Sequence, residues 1–76
     1  MSAIVVKDCT GTYLRYDNKD HLICNEDKLD GYESGTAVNV SILRDDNCRS
    51  EGVHCAALHH YQCAEGNFWI VKIKTN

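Results

Sequence analysis

The sequence predicts a small all-β domain: a partly closed barrel of five or six short strands with at most one short helical turn. Short runs rich in β-branched and aromatic residues alternate with polar segments that contain Asp, Asn and Gly, and this is the pattern of strands joined by turns. The chain has only 76 residues. An open sheet of this size would leave its edges exposed for pairing, which favours closure into a barrel.

The first part of the chain predicts three strands. Ala3–Lys7 (AIVVK) and Thr10–Tyr16 (TGTYLRY) consist largely of residues that suit a pleated, half-buried surface. His21–Cys24 (HLIC) predicts the return arm of a hairpin, because the polar residues before it favour a turn. We expect the tight loop of this hairpin at Asn18 and Lys19.

The middle of the chain predicts one helical turn and one strand. Asn25 is positioned to cap a turn over Glu26–Leu29, and Gly31 is positioned to end it. Thr36–Leu43 (TAVNVSIL) gives the clearest strand signal in the chain, because apolar and polar residues alternate along it. The predicted inner face of that strand carries Val38, Val40 and Ile42.

Phe68–Lys74 (FWIVKIK) predicts the closing strand, since β-branched and aromatic residues fill it. Its predicted core face carries Trp69, Val71 and Ile73, and its outer face carries Lys72 and Lys74. Between the two clearest strands lies the stretch Cys48–Cys63 (CRSEGVHCAALHHYQC), which holds three of the five cysteines and three of the four histidines. Its conformation decides which site the sequence predicts.

As a strand, the second half of this stretch would form a hairpin with the closing strand around a turn at Glu65-Gly66. That register places Leu58 beside Ile73 on one apolar face, which favours the strand over the helix. A disulfide between Cys48 and Cys55 would then staple the loop before the strand.

As a helix over residues 53–63, the stretch would place side chains four residues apart on one face. Cys55, His59 and Cys63 have this spacing, and Cys48 or His60 would complete a tetrahedral zinc site. The spacing matches none of the common structural zinc motifs. Zinc binding is therefore the alternative hypothesis.

Composition limits the partners and the domain count. Residues 1–76 form a single domain, since a chain of this length has no room for a second core. The net charge of -3 and the scattered Lys and Arg residues argue against nucleic acid. No apolar run is long enough for a membrane span, and Met1–Lys7 lacks the features of a signal peptide.

Five cysteines allow at most two bridges and leave one thiol over. The fifteen possible connectivities cannot be separated by sequence (five choices of the odd thiol, each with three pairings). The cysteine content and small size favour an exported protein, periplasmic or extracellular. A cytoplasmic domain with buried thiols is the alternative.

The strings DCTGTYLRYDNKDHLIC, GTAVNVSIL and HCAALHHYQCAEGNFWIVKI resemble small, uncharacterised exported or lipoprotein-type all-β domains of bacteria. The predicted layout is also similar to that of OB-like and SH3-like barrels. The resemblance covers most of the chain, carries no catalytic motif and implies location rather than activity. The sequence before Cys9 is not a lipobox, so it departs from the lipidated members.

The predicted function is a non-catalytic interaction module that binds a protein or a glycan. Tyr13, Tyr32 and Tyr61 are the candidate aromatic contacts for that ligand. No enzymatic activity is expected, because no Cys or His lies in a recognisable nucleophile signature. The alternative function is a small zinc-binding domain that uses the Cys/His-rich stretch.

Overall fold

A computed structural model describes residues 1–48 and 62–75. The strands are β1 (Ser2–Asp8), β2 (Gly11–Tyr16), β3 (Lys19–Ile23), β4 (Ala37–Arg44) and β5 (Cys63–Thr75), and a 3-10 helix, η1, spans Glu26–Leu29. The five strands form a closed barrel in the order β1-β2-β3-β5-β4, with β4 paired to β1. The predicted class, a small all-β barrel with one helical turn, is confirmed.

Strand β5 completes the barrel because it lies between β3 and β4. It pairs in parallel with β3 and antiparallel with β4, while the other neighbouring strands are all antiparallel. Apolar side chains from all five strands and from η1 fill the interior. The buried cluster comprises Ala3, Val5, Leu14, Ile23, Leu29, Val38, Val40 and Ile70.

The β2–β3 hairpin turns one residue earlier than predicted. Tyr16 pairs with Lys19, so the two-residue loop consists of Asp17 and Asn18 rather than Asn18 and Lys19. Both loop residues have positive φ angles, 55° and 62°. A tight hairpin of this kind needs two residues that tolerate the left-handed region, and Asp and Asn tolerate it better than Lys.

The predicted helical turn is confirmed as η1, but Asn25 has a different role there. Its side chain makes no capping hydrogen bond. Instead, its Nδ2 donates to the Ile70 carbonyl at 2.9 Å, and its Oδ1 accepts from the Ile70 amide at 2.7 Å. The Asn25 amide therefore continues the β3–β5 pairing past the end of β3.

The predicted inner face of β4 is confirmed, whereas the predicted turn at Glu65-Gly66 is wrong. β5 runs through these residues without reversing. Its first half pairs with β3 through Asp20 opposite Cys63 and Ile23 opposite Phe68. That partner lies about forty residues away in the chain, so a local hairpin pattern could not reveal it.

The predicted core face of β5 is also wrong in its first part. Ile70 is buried, whereas Trp69 and Val71 are exposed. Ser41 pairs with Lys72 and Ile42 pairs with Ile70, so Val71 is an extra residue on β5. A β-bulge of this kind shifts the alternation by one residue. Ile73, beyond the bulge, does pack against the core as predicted.

A disulfide joins Cys24, directly after β3, to Cys48 in the turn after β4, with a Cα–Cα distance of 6.0 Å. The predicted Cys48–Cys55 bridge is therefore wrong, because Cys48 has another partner. Cys9 is also disulfide-bonded. Cys63 retains an exposed thiol.

Candidate binding surface on strands β4 and β5

The outward side chains of β4 and β5 form one continuous surface, which we call the β4–β5 outer face. It comprises Asn39, Ser41, Leu43, Trp69, Val71, Lys72 and Lys74. Leu43 lies opposite Trp69 at one end, and Asn39 lies opposite Lys74 at the other. The two ends are roughly 13 Å apart along β4, at about 3.3 Å per residue. One end is apolar and the other is cationic.

The apolar end exposes three large side chains together. Leu43 is 61% exposed, Val71 is 59% exposed and Trp69 is 37% exposed. The bulge explains this arrangement, because it leaves Trp69 and Val71 outside while Ile70 enters the core. Single exposed apolar residues are ordinary, but grouped ones often mark an interaction site.

The Trp69 indole is held by the turn that follows β4. Its Nε1 donates a hydrogen bond to Asp45 Oδ2 at 2.8 Å. The other carboxylate oxygen of Asp45 accepts from the Asn47 amide at 2.9 Å. These two hydrogen bonds, the Trp69 bond first, lower the pKa of Asp45. The carboxylate is thus ionised at neutral pH and fixes the orientation of the indole ring.

The same turn is fastened to β5 at several points. The Asp45 amide donates to the Asn67 carbonyl at 2.7 Å, and Asn67 Nδ2 donates to the Cys48 carbonyl at 2.6 Å. Arg44 and Asp46 form an ion pair at 2.8 Å beside Gly66. The Cys24–Cys48 disulfide adds a covalent link from the turn to the segment after β3. The turn that holds the Trp69 indole is therefore itself held in place by several contacts.

The cationic end carries two exposed lysines, Lys72 and Lys74. Their cross-strand partners are the neutral residues Ser41 and Asn39. Neither lysine forms an ion pair with another residue of the described ranges. A shallow depression of about 450 Å³ lies here, lined by Asn39, Val40, Ser41, Lys72, Ile73 and Lys74. This end offers positive charge together with neutral hydrogen-bonding groups.

The outward side chains of β2 and β3, in contrast, include residues that are buried from solvent. Tyr13 is only 5% exposed, and its hydroxyl lies 2.9 Å from Thr10 Oγ1. Burial, as the largest cause, raises the Tyr13 pKa. Asp20 is fully buried and forms an ion pair with Arg15 at 2.8 Å. A ligand has little access to these side chains.

The tyrosines predicted to contact a ligand do not lie on this exposed surface where the structure describes them. The buried position of Tyr13 contradicts a ligand-facing role, and Tyr32 is half-buried against the core. Tyr61 lies outside the described residues. The aromatic side chain that faces solvent on this surface is Trp69, which the sequence pattern assigned to the core. In FWIV, alternation alone fits either phase, so no local signal indicates that Trp69 points outward.

The predicted zinc ligands are only partly described. Cys48 is in a disulfide, so it is not available as a thiolate ligand. Cys63 is an exposed thiol whose pKa is raised first by partial desolvation and then by the negative charges of Asp20 and Asp8. Cys55 and His59 lie outside the described residues. The four-residue set containing Cys48 is therefore not formed in this oxidised state.

Comparisons with protein-family models, curated proteins and solved structures find no match to this chain. In the described part of the chain, no helix has the length and apolar character needed to cross a membrane. Function is therefore inferred from the chemistry of the exposed surface.

Proposed function

We propose that the protein is a non-catalytic binding module and that the β4–β5 outer face holds its ligand. The observation that carries the proposal is the exposed Trp69 ring, held by Asp45 beside the exposed Leu43 and Val71. Rigid aromatic side chains contribute much of the energy at binding surfaces, because they offer a large contact area with little freedom to lose.

The shape of this surface supports binding rather than catalysis. The face is open, and a ligand lying on it remains in contact with solvent. Most enzymes exclude water from the reacting bond in order to strengthen electrostatic stabilisation. The β4–β5 outer face instead offers apolar area at one end and hydrogen-bonding and charged groups at the other.

The strand order supports an OB-like assignment of the barrel, with β5 parallel to β3 and β4 closing onto β1. OB-folds commonly bind oligonucleotides and oligosaccharides over strands 2 and 3. Here the corresponding side chains Tyr13 and Asp20 are buried. We therefore assign binding to the opposite pair of strands, β4 and β5.

We further propose that the protein acts in an oxidising compartment outside the cytoplasm. The Cys24–Cys48 disulfide and the oxidised Cys9 support this location, because disulfides persist mainly in exported proteins. The mass of protein isolated from its native source, with thiols blocked at lysis, tests it. We expect two bridges; a fully reduced chain would contradict export.

A fragment screen by NMR tests the binding surface and requires no identified ligand. We expect small polar and aromatic fragments to shift the backbone amide signals of the β4–β5 outer face. Trp69→Ala should remove most of these shifts, whereas Tyr16→Ala, which truncates another exposed aromatic residue, should leave them. Fragment binding concentrated away from β4 and β5 would overturn the proposal.

A further inference from the structure

We infer that the ligand of the β4–β5 outer face is an anionic oligosaccharide, with one sugar ring on Trp69 and acidic groups at Lys72 and Lys74. The inference rests on the proposed function and specifies its ligand. It follows from the charge, the hydrogen-bonding groups and the aromatic platform that the two strands bring together.

Charge complementarity at Lys72 and Lys74 favours an anionic ligand. The whole chain has a net charge of -3, yet Lys72 and Lys74 form a local positive site on one strand. Because their cross-strand neighbours are Ser41 and Asn39, no carboxylate directly opposite them neutralises this charge. Carboxylate or sulfate groups spaced along a chain would be attracted to both ammonium groups.

The groups between the lysines suit a ligand rich in hydroxyls. The Ser41 hydroxyl and the Asn39 amide are exposed beside the lysines and line the same depression. The Ser41 hydroxyl can both donate and accept hydrogen bonds, whereas Asn39 Oδ1 already accepts from the Met1 ammonium at 3.3 Å, so Asn39 offers mainly its Nδ2 donor. Closely spaced sugar hydroxyls can use these partners simultaneously, while a ligand with charge alone would leave them unused.

The apolar end provides a platform for the C–H face of a sugar ring. The Asp45 carboxylate holds the Trp69 indole in place, and Leu43 and Val71 flank it. The distance of roughly 13 Å between the two ends, at about 3.3 Å per residue, is long enough for a short oligosaccharide rather than one sugar. Because the ring is already held, its ordering adds little cost to binding.

Two other classes of anionic partner fit less well. An extended peptide normally gains affinity by pairing with a free strand edge, but β4 pairs with β1 and β5, and β5 pairs with β3 and β4. An anionic membrane is a broad surface that would meet the carboxylates of Asp45 and Asp46 as well as the lysines, whereas a short oligosaccharide can place its acidic groups at the lysines alone.

Titration with a defined set of oligosaccharides tests the inference. The set comprises trigalacturonate, sialyllactose and a chondroitin sulfate tetrasaccharide, with fully methyl-esterified trigalacturonate as the neutral control. Trp69 is the single tryptophan of the chain, so its fluorescence reports directly on the platform. We expect at least one acidic member to change this fluorescence and to shift the amide signals of β4 and β5, and the methyl ester to bind more weakly than its acid.

Matched variants test the role of charge. Lys72→Gln with Lys74→Gln should weaken binding about tenfold, as expected for losing two exposed charge contacts. Lys19→Gln with Lys28→Gln makes the same change in net charge elsewhere on the surface and should leave affinity within about twofold. Added salt should weaken binding to the wild type more than to the Lys72/Lys74 variant.

The outcomes separate this inference from the proposed function. If no acidic sugar binds, or if the ester binds as tightly as the acid, the anionic oligosaccharide is ruled out. Binding of an oligoglutamate peptide or of phosphatidylserine vesicles through Lys72 and Lys74, without sugar binding, would also overturn the inference but retain the binding surface. Fragment binding away from this face would overturn the surface itself.

Discussion

Asp45 connects the turn after β4 to the exposed ring of Trp69. A carboxylate is well suited to this role because its two oxygens accept hydrogen bonds from two different groups, the Trp69 indole and the Asn47 amide. The position of the ring therefore depends on the protonation state of one side chain. This dependence can be measured directly.

Acidification is expected to release Trp69. Because the folded-state pKa of Asp45 is lowered, its ionised form stabilises the fold above the unfolded-state value of about 3.9. That contribution is lost as the pH falls through the folded-state pKa. Trp69 fluorescence should change over this acidic range in the wild type and in Asp46→Asn, but not in Asp45→Asn. A transition that persists in Asp45→Asn would contradict the role assigned to Asp45.

Gly66 is expected to be sensitive to the smallest side chain. Its φ angle is +82°, and an added Cβ would meet Asp46 and Arg44. Gly66→Ala should lower the free energy of unfolding by about 1–3 kcal/mol in denaturant titrations. Gly35 also has a positive φ, +95°, but nothing lies near its added Cβ, so Gly35→Ala should have the smaller effect. Equal losses would indicate that crowding at Gly66 is unimportant.

At the level of single residues, the sequence predicts the interior of β4 better than the surface of β5. Val38 and Val40 alternate with polar residues, so their direction is unambiguous, and both are buried. Trp69 lies in an unbroken apolar run, where either phase of alternation is possible. Its outward position depends on the bulge at Val71, which arises from pairing with β4 and has no local sequence signal.

At the level of elements, the bulge in β5 divides the strand into two phases. Phe68 and Ile70 contact the interior before the bulge, and Ile73 contacts it afterwards. The bulge therefore produces both a filled core and the exposed apolar end of the outer face. Substitutions at neighbouring positions should separate these two roles.

Ile70→Ala should be far more destabilising than Val71→Ala. Ile70 is buried, so its truncation leaves a cavity and is expected to cost about 2–5 kcal/mol. Val71 is exposed, so its truncation should change stability by no more than about 0.5 kcal/mol. Chemical denaturation of both variants measures the difference. If Val71→Ala were the more destabilising variant, Val71 rather than Ile70 would point into the core, and the β-bulge would be contradicted.

The sequence predicts which segments become strands better than how the strands pair. β1, β2, β4 and η1 follow from local composition, and the predicted hairpin loop at Asn18-Lys19 lies only one residue after the observed loop at Asp17-Asn18. The parallel pairing of β3 with β5 is not predicted, because it joins distant segments. The Cys24–Cys48 bridge depends on that pairing, since β5 separates the strands that precede the two cysteines.

At the level of the whole molecule, the Cys24–Cys48 disulfide ties together the segments that follow β3 and β4. Its two cysteines are 24 residues apart in the chain. Replacing both with Ala should lower the free energy of unfolding by about 3–4 kcal/mol, the chain-entropy value for a loop of this length. Cys63→Ser removes an exposed thiol and should change stability by less than about 0.5 kcal/mol. A comparable loss in both variants would contradict a specific role for the bridge.

The position of β5 between β3 and β4 also has a kinetic consequence. β1, β2 and β3 are neighbours in sequence and can pair early, whereas β3 and β4 keep exposed edges until the last strand enters between them. We therefore expect folding to pass through an open sheet in which the edges of β3 and β4 are unpaired. Such a species is prone to aggregation. If the Cys24–Cys48 disulfide formed before β5 pairs, it would hold the ends of β3 and β4 close together. The barrel would then close faster.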